Sequence, residues 1–221
     1  MHVHPDQQRV SQVRPTTPGR TITWAWGYDA LTWLLTLGQE QRLRKTTLEL
    51  AKLQTGEAVL DVGCGTGSLT LLAARRVGKA GQVFGIDASP EMIAVARRKA
   101  TTTGDRIDYR VGLIEHLDFP DQTFDVVLSS LMFHHLPGDL KRQGLAEIFC
   151  VLKPGGRLLI VDVKRSTSLA SHLGMALMLH GGLASGVHEI GRQMPEQGFS
   201  QVETGDLKFG PIGYVRGQRA V

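Results

Sequence analysis

Ten residues, Val59-Leu60-Asp61-Val62-Gly63-Cys64-Gly65-Thr66-Gly67-Ser68, constrain this chain more than any others. An apolar run ends in glycines at alternate positions, and a helical pattern begins directly behind them. Glycine lets the backbone pass close to a ligand with no Cβ in the way. A helix amino terminus aims free N–H groups and a positive dipole end into the same space. Twenty residues beyond Gly67, a second apolar run, Gln82-Val83-Phe84-Gly85-Ile86-Asp87, ends in an acid. In a doubly wound sheet that acid stands at the carboxyl edge of the adjacent strand, where a carboxylate accepts hydrogen bonds from both hydroxyls of a ribose.

The rest of the chain supports such a sheet. Ser68 to Val77 is helical, with Leu69, Leu72 and Ala73 inward and Arg75-Arg76 outward. Ser89-Pro90-Glu91 opens a helix that runs to about Thr102: Ser89 caps it, Pro90 suits its first position and Glu91 favours its positive end. Further strands are expected near Ile107 to Val111, at Phe124 to Ser129 and at Arg157 to Val163. Between the last two, a helix runs from about Asp139 to Leu152 and is stopped by Lys153-Pro154-Gly155-Gly156. Near the end, Gln201-Val202-Glu203 onward and Ile212 to Gln218, joined through Gly210-Pro211, read as a closing antiparallel pair. The expected fold class is α/β: a doubly wound, mostly parallel seven-stranded sheet with a closing antiparallel strand pair, over residues 56–221. Before it, Tyr28 to about Leu53 reads as two helices divided near Gly38. Residues 22–55 are thus expected to form an N-terminal helical lid over the ligand crevice, with packing on the back of the domain as the other reading. Met1 to Thr21, polar and rich in Pro, Gln and Arg, is expected to be flexible.

Composition narrows the function classes. Hydrophobic residues make up 42% of the 221 and charged residues 21%, enough apolar material for a core and unlike a disordered chain. Cys64 and Cys150 lie far apart, which argues against a disulfide framework or a zinc site and for a reducing compartment. The formal charge of +4 is concentrated in Arg42, Arg44 and Lys45, in Arg75, Arg76 and Lys79, and in Arg97, Arg98 and Lys99. Each cluster falls in a helical segment and is read as a solvated face; contact with an anionic membrane surface is the second reading. Nucleic acid is not expected as a partner, because no aromatic residues interleave with the cations to stack on bases. The amino terminus lacks the apolar core of a signal peptide, and Leu169 to Val187 is interrupted by His172, His180 and Gly181-Gly182. A soluble cytoplasmic protein, peripheral at most to a membrane, is expected. Oligomeric state is not written in the sequence.

Asp61 helps choose the ligand. A nicotinamide dinucleotide brings a pyrophosphate to a glycine loop, and a carboxylate just before the glycines repels it. S-adenosylmethionine instead brings an ammonium and a sulfonium, which that carboxylate attracts directly or through water. The glycine spacing is also Gly-x-Gly-x-Gly rather than Gly-x-Gly-x-x-Gly, and no Gly-Lys-Ser/Thr follows to make a phosphate-binding loop. S-adenosylmethionine is the expected cofactor, with S-adenosylhomocysteine as product and no metal.

At these residues the sequence resembles the class I S-adenosylmethionine-dependent methyltransferases. The matching pieces are Val59 to Gly67, Gly85-Ile86-Asp87-Ala88-Ser89-Pro90-Glu91-Met92, Phe119 to Val127, and Leu152-Lys153-Pro154-Gly155-Gly156-Arg157, in the family's order and spacing. The nearer likeness is to the ubiquinone/menaquinone-biosynthesis and phospholipid N-methyltransferase branch, in which Tyr28-Asp29, Gly38 and Arg42 fall on a similar amino-terminal helix pair. The resemblance implies that Gly63, Cys64, Gly65 and Gly67 line the methionine part of the cofactor with Asp61 near its amino group. By the same resemblance Asp87 holds the ribose, Ala88 and Met92 pack by the adenine, Ser129 borders the methionine moiety, and Tyr28 adds a contact from the lid. One departure stands out. The family usually carries an acid after the third strand's glycine, against the adenine amino group, and here the run is Gly112-Leu113-Ile114-Glu115. Leu113 cannot accept that bond through its side chain. Ile114 still offers its backbone N–H to the ring, and a carbonyl or water can serve the amino group; only if neither forms is the affinity expected to be weaker by about 1 kcal/mol.

Methyl transfer is an in-line displacement at an already good electrophile, so most of the acceleration comes from holding the nucleophile in line, about 3–3.5 Å from the methyl carbon. A base is needed only where the acceptor must lose a proton. His134 and His135, behind the fourth strand, stand at the mouth of the crevice; His134 is preferred as that base, the other reading being one packed ring and one capping ring. His172, His180 and His188 are spaced by eight, which drifts around a helix and does not build a metal site. Met175 and Met178 suit an adaptable apolar acceptor pocket or ordinary core packing.

Two acceptor classes are argued down. DNA amino-methylating enzymes carry an Asp/Asn-Pro-Pro-Tyr/Phe run where this chain has Ser129-Ser130-Leu131-Met132, and arsenic methylation needs more cysteines than two. A small or lipid-like acceptor remains: a quinone or phenol, a phospholipid amine, or another small metabolite. The competing readings are a non-catalytic S-adenosylmethionine-binding or partner protein and an NAD(P)-dependent oxidoreductase.

Overall fold

The structure is a computed structural model that describes residues 17, 39–164 and 186–221. The first of the two expected amino-terminal helices, Tyr28 with it, and His172, Met175, Met178 and His180 lie outside the described residues.

Among the described residues, one sheet of seven strands carries the fold. In chain order the elements are α1 (Glu40–Ala51), β1 (Ala58–Val62), α2 (Ser68–Val77), β2 (Gln82–Asp87), α3 (Pro90–Thr103), β3 (Asp108–Val111), β4 (Phe124–Ser130), α4 (Gly138–Val151), β5 (Leu152–Val163), α5 (Val187–Gln193), β6 (Phe199–Asp206) and β7 (Ile212–Arg219). A short 3₁₀ turn, Phe133–His135, follows β4. The strand order is β3-β2-β1-β4-β5-β7-β6, with β7 antiparallel to both neighbours and the other pairings parallel. The expected doubly wound sheet and its closing antiparallel pair are both present. The chain reverses its winding between β1 and β4, and a crevice opens at such a point outside the carboxyl ends of the strands.

Alternation along the strands fills both faces. Leu60, Val127, Leu158 and Ile160 pack beneath α4 and α5 with Leu145, Ile148, Val187 and Ile190. Val59, Val126, Leu128, Leu159 and Val161 pack on the other face with Leu43 and Ala51 of α1 and Ala73 and Val77 of α2. A strand buried on both faces bears polar side chains only at a cost. Asp61, Ser129 and Asp162 are all buried, and each is the second-to-last residue of its strand. The cost is therefore concentrated along one edge, where the crevice lies.

Local signals set the element ends. Ser89 caps α3 by accepting the Met92 N–H (3.3 Å), Pro90 starts the helix, and Gly104 closes it with φ +72°. Two boundaries differ from expectation. The fifth strand was expected to start at Arg157, yet β5 begins at Leu152, directly where α4 ends. Leu152 pairs with Phe124 and Arg157 with Val126, so β5 carries extra residues that bulge between them. β6 likewise begins at Phe199, before the expected Gln201, because a register slip between Ser200 and Glu203 with Gln201 at φ +50° absorbs the irregular residues.

Candidate active site

The glycine loop joins β1 to α2 and is tied to the end of β2. Gly63 and Cys64 both donate N–H bonds to the Ile86 carbonyl at 2.9 Å, and Gly67 donates to Cys64 O at 2.9 Å. Gly63 and Gly67 have φ of +73° and +77°, where a side chain is strained. A Cβ on Gly67 would meet the Tyr109 hydroxyl at 2.4 Å, and one on Gly63 the Met132 side chain at 2.3 Å. Lys99 of α3 braces the loop from behind, donating to Thr66 Oγ1 (2.9 Å) and Ser68 Oγ (3.1 Å). Arg97 donates to Tyr109 O at 3.0 and 2.6 Å. The Arg97-Arg98-Lys99 cluster, expected as a solvated face, thus spends two of its three cations on internal bonds.

Asp87 is fixed before any ligand arrives. Its Oδ2 accepts the Gly65 N–H and its Oδ1 the Ser89 N–H, both at 2.9 Å. Burial pushes the carboxyl above its ordinary range against the opposing pull of those two bonds. Around it lies a largely apolar trough of Ile86, Ala88, Met92, Leu113, Ile114 and Leu131, with Met132, His135 and Leu136 on the far wall. Thr17 reaches this trough and donates to Glu115 Oε1 at 2.6 Å.

A second cavity lies on the other side of Gly63 and Gly65. It is lined by Asp61, Cys64, Thr66, Ser68, Ser130 and Leu131 from the sheet side and by Glu40, Leu43 and Arg44 of α1. Asp61 is fully buried; Thr70 Oγ1 donates to its Oδ2 at 2.6 Å, and its Oδ1 has no partner in the structure. Burial raises its pKa to about 7; the Thr70 bond opposes the rise, the Asp87 charge adds to it and Arg44 opposes it. Arg44 is paired with Glu40 one helical turn earlier. Leu131, which lines both cavities, holds a left-handed φ of +55° and donates its N–H to Val161 O at 2.8 Å. A non-glycine residue in that conformation is strain of the kind found at functional sites.

The 3₁₀ turn behind β4 carries the two histidines, whose ring centroids are 3.9 Å apart at 43°. Phe133 is wholly buried and anchors the turn. His135 lines the Asp87 trough, whereas the His134 ring is turned onto Asp162, with Nδ1 2.7 Å from Oδ1. Of the residues expected from the sequence, Asp61, Gly63, Cys64, Gly65, Asp87, Ala88, Met92, Leu113 and Ile114 come together on the walls of the two cavities. Gly67 stands just behind them at the start of α2. Neither Ser129 nor His134 lines a cavity. Ser129 is buried with its Oγ unpartnered, and Ser130 and Leu131 form the wall instead. The His134 side chain, 8% exposed, lies against Asp162, and it is His135 that faces the trough. Sequence reasoning passed over Glu40, Arg44, Thr66, Leu131 and Met132. The Glu40–Arg44 spacing of one helical turn was a usable signal; the left-handed turn at Leu131 leaves none. Among the described residues, no three His, Cys, Asp or Glu side chains are placed to hold a metal ion, and no helix is long and apolar enough to cross a membrane.

The two cavities fit S-adenosylmethionine. An unpartnered carboxylate oxygen suits the ammonium of its amino-acid end, Asp87 suits its ribose, and the apolar trough suits its adenine. The fully buried Asp61 just before the glycines does not suit a pyrophosphate. Comparison with known proteins agrees. The methyltransferase-domain family matches residues 59–156. A demethylmenaquinone methyltransferase of Lactiplantibacillus plantarum is 37% identical over 65% of this chain, a match that spans 60% of that protein's length. A demethylmenaquinone methyltransferase of Thermus thermophilus is 34% identical over 76% of this chain and 78% of its own. Among solved structures, an S-adenosylmethionine-dependent methyltransferase from Aquifex aeolicus shares the fold at a TM-score of 0.67, with 23% identity over 80% of this chain and 89% of that one. The chain belongs to the class I S-adenosylmethionine-dependent methyltransferases, in the branch that includes the ubiquinone/menaquinone-biosynthesis enzymes.

Proposed function

We propose that the protein transfers a methyl group from S-adenosylmethionine to a small or lipid-like acceptor of the quinone or phenol class, releasing S-adenosylhomocysteine. The observation that carries this reading is the buried, unpartnered Asp61 Oδ1 facing one side of the glycine loop while Asp87 serves the other. The acceptor class is supported by the names of the relatives, which are demethylmenaquinone methyltransferases.

The bound cofactor supplies a methyl group activated by sulfonium charge. Asp61 and Arg44 take up the opposite charges of its amino-acid end, and Asp87 holds the ribose through lone pairs left after its two backbone bonds. Leu113 offers only apolar contact to the adenine, with the Ile114 N–H beside it. Leu131, Met132 and Leu136 keep water from the reacting centre, so positioning supplies most of the acceleration. His134 removes the proton of an acceptor hydroxyl. Tyr28 completes the cofactor-binding set, and residues 22–55 act as the lid. The protein works in the cytoplasm and meets a lipid-borne acceptor at the anionic membrane surface, with neither metal nor nucleic acid involved.

Calorimetric titration with S-adenosylmethionine, S-adenosylhomocysteine and reduced nicotinamide dinucleotide tests the cofactor. Micromolar binding of the first two alone is expected; binding of the nicotinamide alone overturns the reading. Turnover with reduced demethylmenaquinone in detergent then tests the acceptor. There His134→Ala is expected to cut kcat by about 100-fold or more, and a loss under about fivefold retires His134 as the base.

A further inference from the structure

Asp162 is a buried carboxylate outside the cofactor cavities, and it is heavily used. Its Oδ2 accepts the backbone N–H of His134 at 3.0 Å, and its Oδ1 lies 2.7 Å from Nδ1 of the same residue and accepts the Val163 N–H at 2.6 Å. One carboxylate therefore clamps both the backbone and the ring of a single histidine. It does so from the second-to-last position of β5, the counterpart of Asp61 on β1 and Ser129 on β4. Holding the 3₁₀ turn in place needs only the backbone bond. The ring bond adds something else: it decides which nitrogen carries the proton.

Burial pushes the Asp162 carboxyl up, but the charge and hydrogen bond of His134 and the Val163 and His134 N–H groups outweigh it and hold the carboxyl below its ordinary range. An ionised carboxylate only accepts. Nδ1 must then be the donor, and in the neutral ring Nε2 keeps its lone pair. Lys141 of α4, itself buried, adds positive charge near Asp162, while Glu189 of α5 bears on the same lysine.

We propose that Asp162 is a positioning residue for methyl transfer, fixing His134 in the Nδ1–H tautomer so that Nε2 takes the acceptor's proton. This rests on the reading of His134 as the base. In the step, the hydroquinone's O–H proton moves to Nε2, and the ring carbon beside the resulting oxyanion forms the bond to the methyl carbon as the C–O bond becomes a carbonyl. That ring carbon then gives up its own proton to water while the carbonyl oxygen takes one back, so that the ring regains its aromaticity. The carbon–sulfur bond breaks with its pair staying on sulfur, which loses its positive charge. Asp162 balances the imidazolium until its proton passes to water.

The test combines histidine side-chain ¹⁵N NMR with kinetics on the full chain, using reduced demethylmenaquinone as acceptor. In the wild-type protein His134 is expected as the Nδ1–H tautomer; an Nε2–H tautomer overturns the proposal with no variant needed. Asp162→Asn, whose amide can donate to Nδ1, is expected to flip the tautomer. It should lower kcat by about 100-fold or more while the Kd for S-adenosylhomocysteine stays within about threefold. In a His134→Gln background the same change should cost nothing further. If Asp162→Asn fails to fold, Asp162→Glu, which keeps the carboxylate, is expected to retain the Nδ1–H form and to lose less than about tenfold in kcat. Wild-type turnover in His134→Gln defeats the base reading itself. Loss there with full turnover in Asp162→Asn defeats this proposal alone.

Discussion

Asp61 is where the loop's binding chemistry meets stability. With its carboxyl raised to about 7 by burial, against about 3.9 in an unfolded chain, the folded state holds a proton that the unfolded state has already released. Stability then falls as pH rises from about 4 to about 7 and levels off above, by an amount of about 4 kcal/mol at most. Asp61→Asn is expected to remove this slope. Urea denaturation of the ligand-free protein at pH 5 and pH 8 should show the variant gaining on wild type as pH rises; a gap that stays constant with pH contradicts the assignment. The same variant should bind S-adenosylhomocysteine at least about tenfold more weakly, since the ammonium loses a charged partner. The sequence made Asp61 and Asp87 legible because their chemistry follows from charge and strand position. It did not reveal Arg44 or Thr66. Arg44 reads as one of a run of surface cations until α1 is packed, and Thr66 reads as filler between glycines until Lys99 is seen to bond it.

At the scale of elements, the strands were legible as near-continuous apolar runs, whereas the junction of α4 and β5 was not. Lys-Pro-Gly-Gly signals a stop, and only the pairing of Leu152 with Phe124 turns the residues behind the helix into strand. Gly156 is required there, since a Cβ would meet Lys153 O at 2.8 Å and Phe124 O at 3.2 Å. α5 was hidden for a different reason: seven residues give too little periodicity to separate it from the longer segment before it. The end of α4 draws on a residue distant in sequence. Arg219 Nη1 donates to the carbonyls of Phe149, Cys150 and Leu152 at 2.7, 2.9 and 2.7 Å, and its guanidinium stacks 4.6 Å from the Phe149 ring centroid. The Phe149 bond satisfies a carbonyl that the helix end leaves open, while Cys150 O also accepts the Gln122 N–H and Leu152 O belongs to the start of β5, so the guanidinium ties the helix end to the strand. Arg219→Ala is therefore expected to lower unfolding free energy by about 1–3 kcal/mol, read as a shift in the urea midpoint, with cofactor affinity unchanged because the contact lies far from the crevice edge. A drop in affinity of tenfold or more at unchanged stability contradicts that separation.

Over the whole molecule, the reversal of winding between β1 and β4 means that the two halves of the sheet meet where the ligand sits. Gly63, Asp87 and Ala88 come from the half ending in β3, Ser130, Leu131 and Met132 from the half ending in β6, and Arg44 from the helix in front. A ligand that spans these groups binds only the assembled fold, and so stabilises it by mass action. At a free concentration of about 100 times its Kd, S-adenosylhomocysteine is expected to add about 2.7 kcal/mol. For a chain of this size that is a rise in Tm of roughly 5–10 °C. Reduced nicotinamide dinucleotide at equal concentration should leave Tm unchanged. The two carboxylates should fail differently: Asp87→Asn removes the ribose contact and Asp61→Asn the ammonium contact, so each variant should retain part of the shift and the double variant almost none. Should the double variant keep the full rise, S-adenosylhomocysteine would be bound somewhere other than the glycine loop, and the doubly wound sheet would be the only part of the functional reading left standing.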